Sequence, residues 1–97
     1  MTAKPSHRPK QRILLAEDDE SMRRFLEKAL QNAGYDVLGF DNGKLAYARL
    51  LEEPFTLLLT DIVMPEMDGI ELARRASDLD PDLKIMFITG FAVVTLN

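Results

Sequence analysis

Residues 55–60 read FTLLLT, a run of apolar side chains without the polar alternation of a half-wet strand. A continuous run of this length belongs to a strand covered on both faces, the condition met in a parallel sheet flanked by helices. RILLA at 12–16 and KIMFIT at 84–89 share the property, and YDVLGF at 35–40 is a weaker version. Helical stripes separate these runs. Met22, Phe25, Leu26, Ala29, Leu30 and Ala33 recur at spacings of three and four, and Gly34 follows as a C-terminal stop. EDDES at 17–21 precedes this stripe, and its Ser21 is a candidate cap. DNG at 41–43 reads as a turn, and Leu45, Ala46, Ala48, Leu50 and Leu51 suggest a second helix ended by Pro54. A third helix runs from Gly69 to about Leu79, with Ile70, Leu72, Ala73 and Ala76 facing inward. The order βαβαβαβ predicts an α/β fold with right-handed crossovers and a doubly wound parallel sheet. GFAVVTLN, 90–97, reads as a remnant after the fourth strand.

Ninety-seven residues suffice for one small domain, which buries roughly 60–70% of its unfolded surface. Residues 1–11 hold two prolines and three basic side chains with little apolar content, so a disordered tail is expected there and the domain over 12–97. Twelve Lys and Arg against sixteen Asp and Glu leave a net charge of −4, which argues against nucleic acid as a partner. There is no cysteine, so disulfides and thiolate metal sites are excluded. No apolar run approaches the ~18–20 residues of a membrane span. The basic start MTAKPSHRPKQR leads only into ILLA, too short for a signal-peptide core. A soluble cytoplasmic protein without membrane contact is the expectation.

In open sheets of this kind, sites form outside the carboxyl ends of the strands. Three predicted strand ends carry notable groups: Glu17-Asp18-Asp19, Asp61, and Thr89-Gly90. Singly, each has a plain explanation. Acids before a helix complement its dipole, Asp68 before Gly69 is most simply an N-cap, and a strand-end Asp is usually a loop residue. Their joint placement on one sheet edge is what a solvated face does not require. Carboxylates brought together repel, and such a cluster either raises its pKa values or recruits a hard cation, for which Mg²⁺ is suited. With the charge compensated, Asp61 is able to stay ionised and attack a phosphoryl group, giving an acyl phosphate. Thr89 is placed to donate its hydroxyl to a phosphoryl oxygen.

ILLAEDDESMRRFLEKALQNAGY, LLLTDIVMPEMDGIELARR and KIMFITG together resemble the receiver domain of bacterial two-component response regulators. The likeness runs over 12–97, and the D-x-x-M-P-x-M-D-G segment is its most specific part. It implies a flavodoxin-like (CheY-like) fold and a Mg²⁺-dependent phosphoaspartate at Asp61. It also implies that Asp18 ligates the metal directly, that Glu17 acts through water, that Val63 contributes its backbone carbonyl, and that Thr89 is the switch hydroxyl. The implied partner is a histidine kinase or a histidine phosphotransfer protein. More narrowly, EEPFTLLLTDIVMPEMDGIELARRA and DPDLKIMFITGFA are similar to CpdR-type single-domain regulators, which implies an adaptor role for the ClpXP protease.

Against the family pattern, the chain ends at Asn97, ahead of the family's fourth helix, its fifth strand ending in Lys-Pro, and its fifth helix. The expected sheet order is therefore 2-1-3-4, with strand 4 as an open edge. The Met22, Phe25, Leu26, Ala29 and Leu30 stripe is expected to be uncovered, so that self-association through the first helix becomes possible. A truncated binding fragment that does not take phosphate is one alternative. A Mg²⁺-dependent phosphatase with an aspartyl nucleophile is another, though Val63 stands where such enzymes need a second catalytic acid.

Overall fold

The computed structural model describes residues 10–89 and, for the main chain, 92–96. The tail expected over 1–11 lies almost wholly outside the described residues, as does Gly90. The elements are β1 (Arg12–Ala16), α1 (Glu20–Asn32), β2 (Asp36–Phe40), α2 (Gly43–Glu52), β3 (Leu57–Asp61), α3 (Gly69–Leu79), β4 (Lys84–Thr89) and β5 (Ala92–Leu96). One sheet forms in the order β2-β1-β3-β4-β5. The first four strands are mutually parallel, giving the expected order 2-1-3-4.

β5 departs from expectation. It returns antiparallel along β4, with register from Thr89↔Ala92 to Ile85↔Leu96, so β4 is not an open edge. Ala-Val-Val-Thr-Leu is a β-prone, uncharged segment only two residues beyond β4. Pairing back satisfies the backbone groups that β4 would otherwise present unpaired.

Both sheet faces are covered, as continuous apolar strands require. Along β1, Leu14 and Ala16 pack with Ala46, Leu50, Leu58, Leu72, Ala76 and Phe87, beneath α2 and α3. Ile13 and Leu15 face the other way, with Val37, Leu59 and Ile88, beneath α1. Leu14 and Leu58 are fully buried, each contributing about 2 kcal/mol by removal from water. The two faces are unequal. α1 has no buried residue, and its stripe is open to solvent at Phe25, 67% exposed, and Met22, 36%. The expected uncovering is thus observed at Met22, Phe25 and Ala29, while Leu26 and Leu30 pack against the sheet.

Local signals set the element ends. α1 closes in a double hydrogen-bonded stop: Tyr35 N–H donates to Leu30 O and Gly34 N–H to Gln31 O, with Gly34 at φ 100°. Only glycine takes that left-handed position without strain. The N-cap of α1 is Asp19, whose side chain accepts from Met22 N–H at 2.8 Å; Ser21, the expected candidate, falls inside the first turn. Asn42 caps α2 through Leu45 N–H at 2.8 Å, so DNG is a cap followed by the first helical residue rather than a free turn.

Candidate functional site

Strand register builds the site. Ala16 lies opposite Thr60 in the β1–β3 pair, so the next residues, Glu17 and Asp61, leave the sheet side by side. Asp61 in turn lies opposite Ile88, which puts Thr89 one step further along the same edge. One carboxylate oxygen from each of Glu17, Asp18 and Asp61 lies within 4.8 Å of the others. The expected gathering of acids from two strand ends is therefore present in the geometry.

The three acids sit in different surroundings. Glu17 is buried, 4% exposed, while Asp61 is half-buried and Asp18 exposed. Burial holds the Glu17 carboxyl above its ordinary value, the Asp19 amide donating to it at 3.0 Å opposes this, and the nearby Asp61 and Asp18 charges raise it further. Asp61 Oδ1 accepts from Ile62 N–H at 2.8 Å, and the Thr60 hydroxyl donates to the Asp61 carbonyl oxygen at 2.8 Å. Thr60 is fully buried, so this brace is shielded from water.

The loop after Asp61 folds tightly under the site. Gly69 N–H donates to Ile62 O at 2.7 Å, and a Cβ on Gly69 would fall 1.9 Å from the Asp61 carbonyl oxygen. Gly43 permits a second close approach, its Cβ position lying 2.0 Å from Met67 O. Met64 is buried and ties the loop into the core under α2 and α3. Glu66 takes φ 70°, with Met67 N–H donating across it to Pro65 O at 2.8 Å. A non-glycine residue adopts that conformation at some cost, which the tight turn around it imposes. Asp68 caps α3 through Glu71 N–H at 2.8 Å, as expected.

Val63 stands two residues past Asp61, its side chain 76% exposed. Thr89 closes β4 and is exposed. Sequence reasoning passed over Thr60, Gly43 and Gly69 as parts of the site. The glycines each directly follow an Asn or Asp, a spacing that signals a cap and conceals the close backbone approach. A groove lined by Leu50, Phe55, Ala76, Leu79 and Leu83 lies at the amino ends of β3 and β4, away from the acids. Carboxylate chemistry, not an apolar cavity, distinguishes this edge.

The profile of the response regulator receiver domain matches residues 13–96. The chain belongs to that family. It is 79% identical over 86 residues to the response regulator receiver protein CpdR of Brucella abortus, a match covering 89% of this chain and 72% of that protein. With the C4-dicarboxylate transport transcriptional regulatory protein DctD of Rhizobium meliloti it shares 36% identity over 90 residues, 93% of this chain but 18% of that longer protein. The structure of the response regulator TrrA from Thermotoga maritima in complex with Mg²⁺-BeF superposes with a TM-score of 0.80 at 30% identity, covering 84% of this chain and 71% of that one. The receiver is a signalling domain, and its acidic cluster is a fitting set of hard oxygen donors for a divalent cation. No helix among the described residues is long and apolar enough to cross a membrane.

Proposed function

We propose that this receiver accepts a phosphoryl group on Asp61 from a phosphohistidine of a kinase or phosphotransfer protein and signals the change by protein contact. The single observation that carries the reading is the approach of the Glu17, Asp18 and Asp61 carboxylates to within 4.8 Å. Asp18 and Asp61 would ligate Mg²⁺ directly, Glu17 through water, and Val63 through its carbonyl. A bound cation supplies charge neutralisation for the phosphoryl oxygens.

The remaining work falls to this chain's own groups. Asp61 Oδ1 is held by Ile62 N–H at 2.8 Å, which orients the carboxylate and leaves its other oxygen to attack phosphorus. An O–P bond to Asp61 forms as the N–P bond of the donor histidine breaks. The electron pair returns to the imidazole nitrogen, which takes a proton from solvent. The Thr89 hydroxyl is the donor we assign to a phosphoryl oxygen, its bond coupling the modified state to β4. The similarity to CpdR supports an output through protein partners, with the ClpXP protease as the one implied by the CpdR-type resemblance.

The test is exposure of the protein to Mg²⁺ with acetyl phosphate, or with beryllofluoride, followed by intact mass and NMR. Wild type is expected to gain one phosphoryl group or one beryllofluoride, and Asp61→Ala neither. Labelling that persists in Asp61→Ala rejects the assignment. A second reading, self-association, is favoured by the exposure of Phe25 and Met22 on α1.

A further inference from the structure

We propose that Arg23 is a positioning residue for the acidic end of β1, a role that rests on the cation-binding reading above. Arg23 belongs to the first turn of α1, its N–H donating to Asp19 O at 2.9 Å. Its guanidinium turns back toward the sheet edge, where Nη1 donates to the Glu17 carbonyl oxygen at 3.0 Å. Residue 17 is thereby held at three points. Its N–H donates to Phe40 O of β2 at 3.0 Å, its carbonyl accepts from Arg23, and its carboxylate accepts from Asp19 N–H at 3.0 Å.

Fixing both peptide groups of Glu17 fixes the direction in which the chain delivers Asp18. The guanidinium also satisfies a carbonyl that points out of the ladder just where the strand ends, so the loop needs no rearrangement before a cation arrives. Such preorganisation is what partners of metal ligands provide, and their removal typically weakens binding by about tenfold or more.

Gly39 on β2 lies under these side chains: a Cβ there would make an ordinary contact with Arg23 Cδ at 3.4 Å and would meet only the flexible tip of Glu27, so the reach of Arg23 itself does not require glycine. Arg24 provides the contrast. It carries the same charge one position later but pairs with Glu20 at 2.8 Å, both side chains well exposed, and leaves the loop untouched.

The experiment compares wild type, Arg23→Met and Arg24→Met, which lose the same charge. Mg²⁺ affinity is measured by titration calorimetry, and the Asp19 amide resonance is followed in metal-free protein. Arg23→Met is expected to weaken Mg²⁺ about tenfold and to move the Asp19 amide, while Arg24→Met does neither. Equal affinities and equal Asp19 shifts in the two variants overturn the proposal. If Arg23→Met does not fold, Arg23→Gln, whose shorter amide stops short of the Glu17 carbonyl, is judged by the same two readouts. Wild type that binds no Mg²⁺ refutes the cation reading itself, and the metal-free Asp19 resonance then still decides the role of Arg23.

Discussion

Replacing Asp61 by Asn should stabilise the metal-free protein and abolish its stabilisation by Mg²⁺. The three acids lie within 4.8 Å of one another, so each like-charge pair repels. At such a separation the repulsion is about 3.5 kcal/mol at an effective dielectric of 20 and about 1 kcal/mol in bulk water. Asp18 is exposed and Asp61 half-buried, which places the interaction toward the lower figure. Neutralising Asp61 relieves two pairs at once, for a gain of about 1–2 kcal/mol after screening. Asn retains the oxygen that accepts from Ile62 N–H at 2.8 Å, so the loop keeps its local bond. In a domain of this size the gain corresponds to a rise in Tm of about 4–16 °C in EDTA. Saturating Mg²⁺ should reverse the order, because a cation at a hundredfold excess over its Kd adds about 2.7 kcal/mol to a protein that binds it. Calorimetric melts at pH 7, with EDTA and with Mg²⁺, measure both effects. A lower Tm for Asp61→Asn in EDTA, or an equal response of both proteins to Mg²⁺, refutes the reasoning.

Gly69→Ala should cost about 2–3 kcal/mol by urea denaturation, since its Cβ would meet the Asp61 carbonyl oxygen at 1.9 Å and backbone cannot step aside; a loss below the error of the measurement contradicts the close approach. Arg49 and then Arg12 hold the Glu53 carboxyl below its ordinary 4.5. The stability from this shift is therefore present above pH 4.5 and is lost as pH falls through the lower folded value. Glu53→Gln should flatten that acid limb in a pH series of melts, and identical limbs would show the ion pairs to be inert. Phe25→Glu, at a residue 67% exposed, should change stability by no more than about 0.5 kcal/mol while weakening any self-association seen by analytical ultracentrifugation. Undiminished association in that variant would place the contact elsewhere.

The order of elements was legible because periodicity is local. RILLA, FTLLLT and KIMFIT are covered on both faces, and their continuity says so without any knowledge of what covers them. Asp68 as the cap of α3 and Gly34 as the stop of α1 were equally legible, since a cap bonds to an amide only a few residues away. β3 begins at Leu57, two residues later than the apolar run suggested, although Thr56 already bonds to Arg12 and Lys84 on either side; Phe55 is buried ahead of the strand, with the Arg12 guanidinium 4.7 Å from its ring centre. The antiparallel return of β5 was not legible: Ala-Val-Val-Thr-Leu states a preference for extended backbone, not a partner.

The chain alone determined that acids would stand at the ends of two apolar strands. Tertiary structure decided that they meet. The pairing of Ala16 with Thr60 brings Glu17 beside Asp61, and a register shifted by one residue would turn every side chain of a strand to the opposite face. The approach of the Glu17 and Asp61 carboxylates depends on that register, whereas the Thr60 brace joins sequence neighbours and the Arg23 bond to Glu17 is set by how α1 packs back on β1. The physical reason is one of range. Helix and strand preferences act between neighbours in sequence, whereas the distance between two carboxylates is set by packing across the whole sheet.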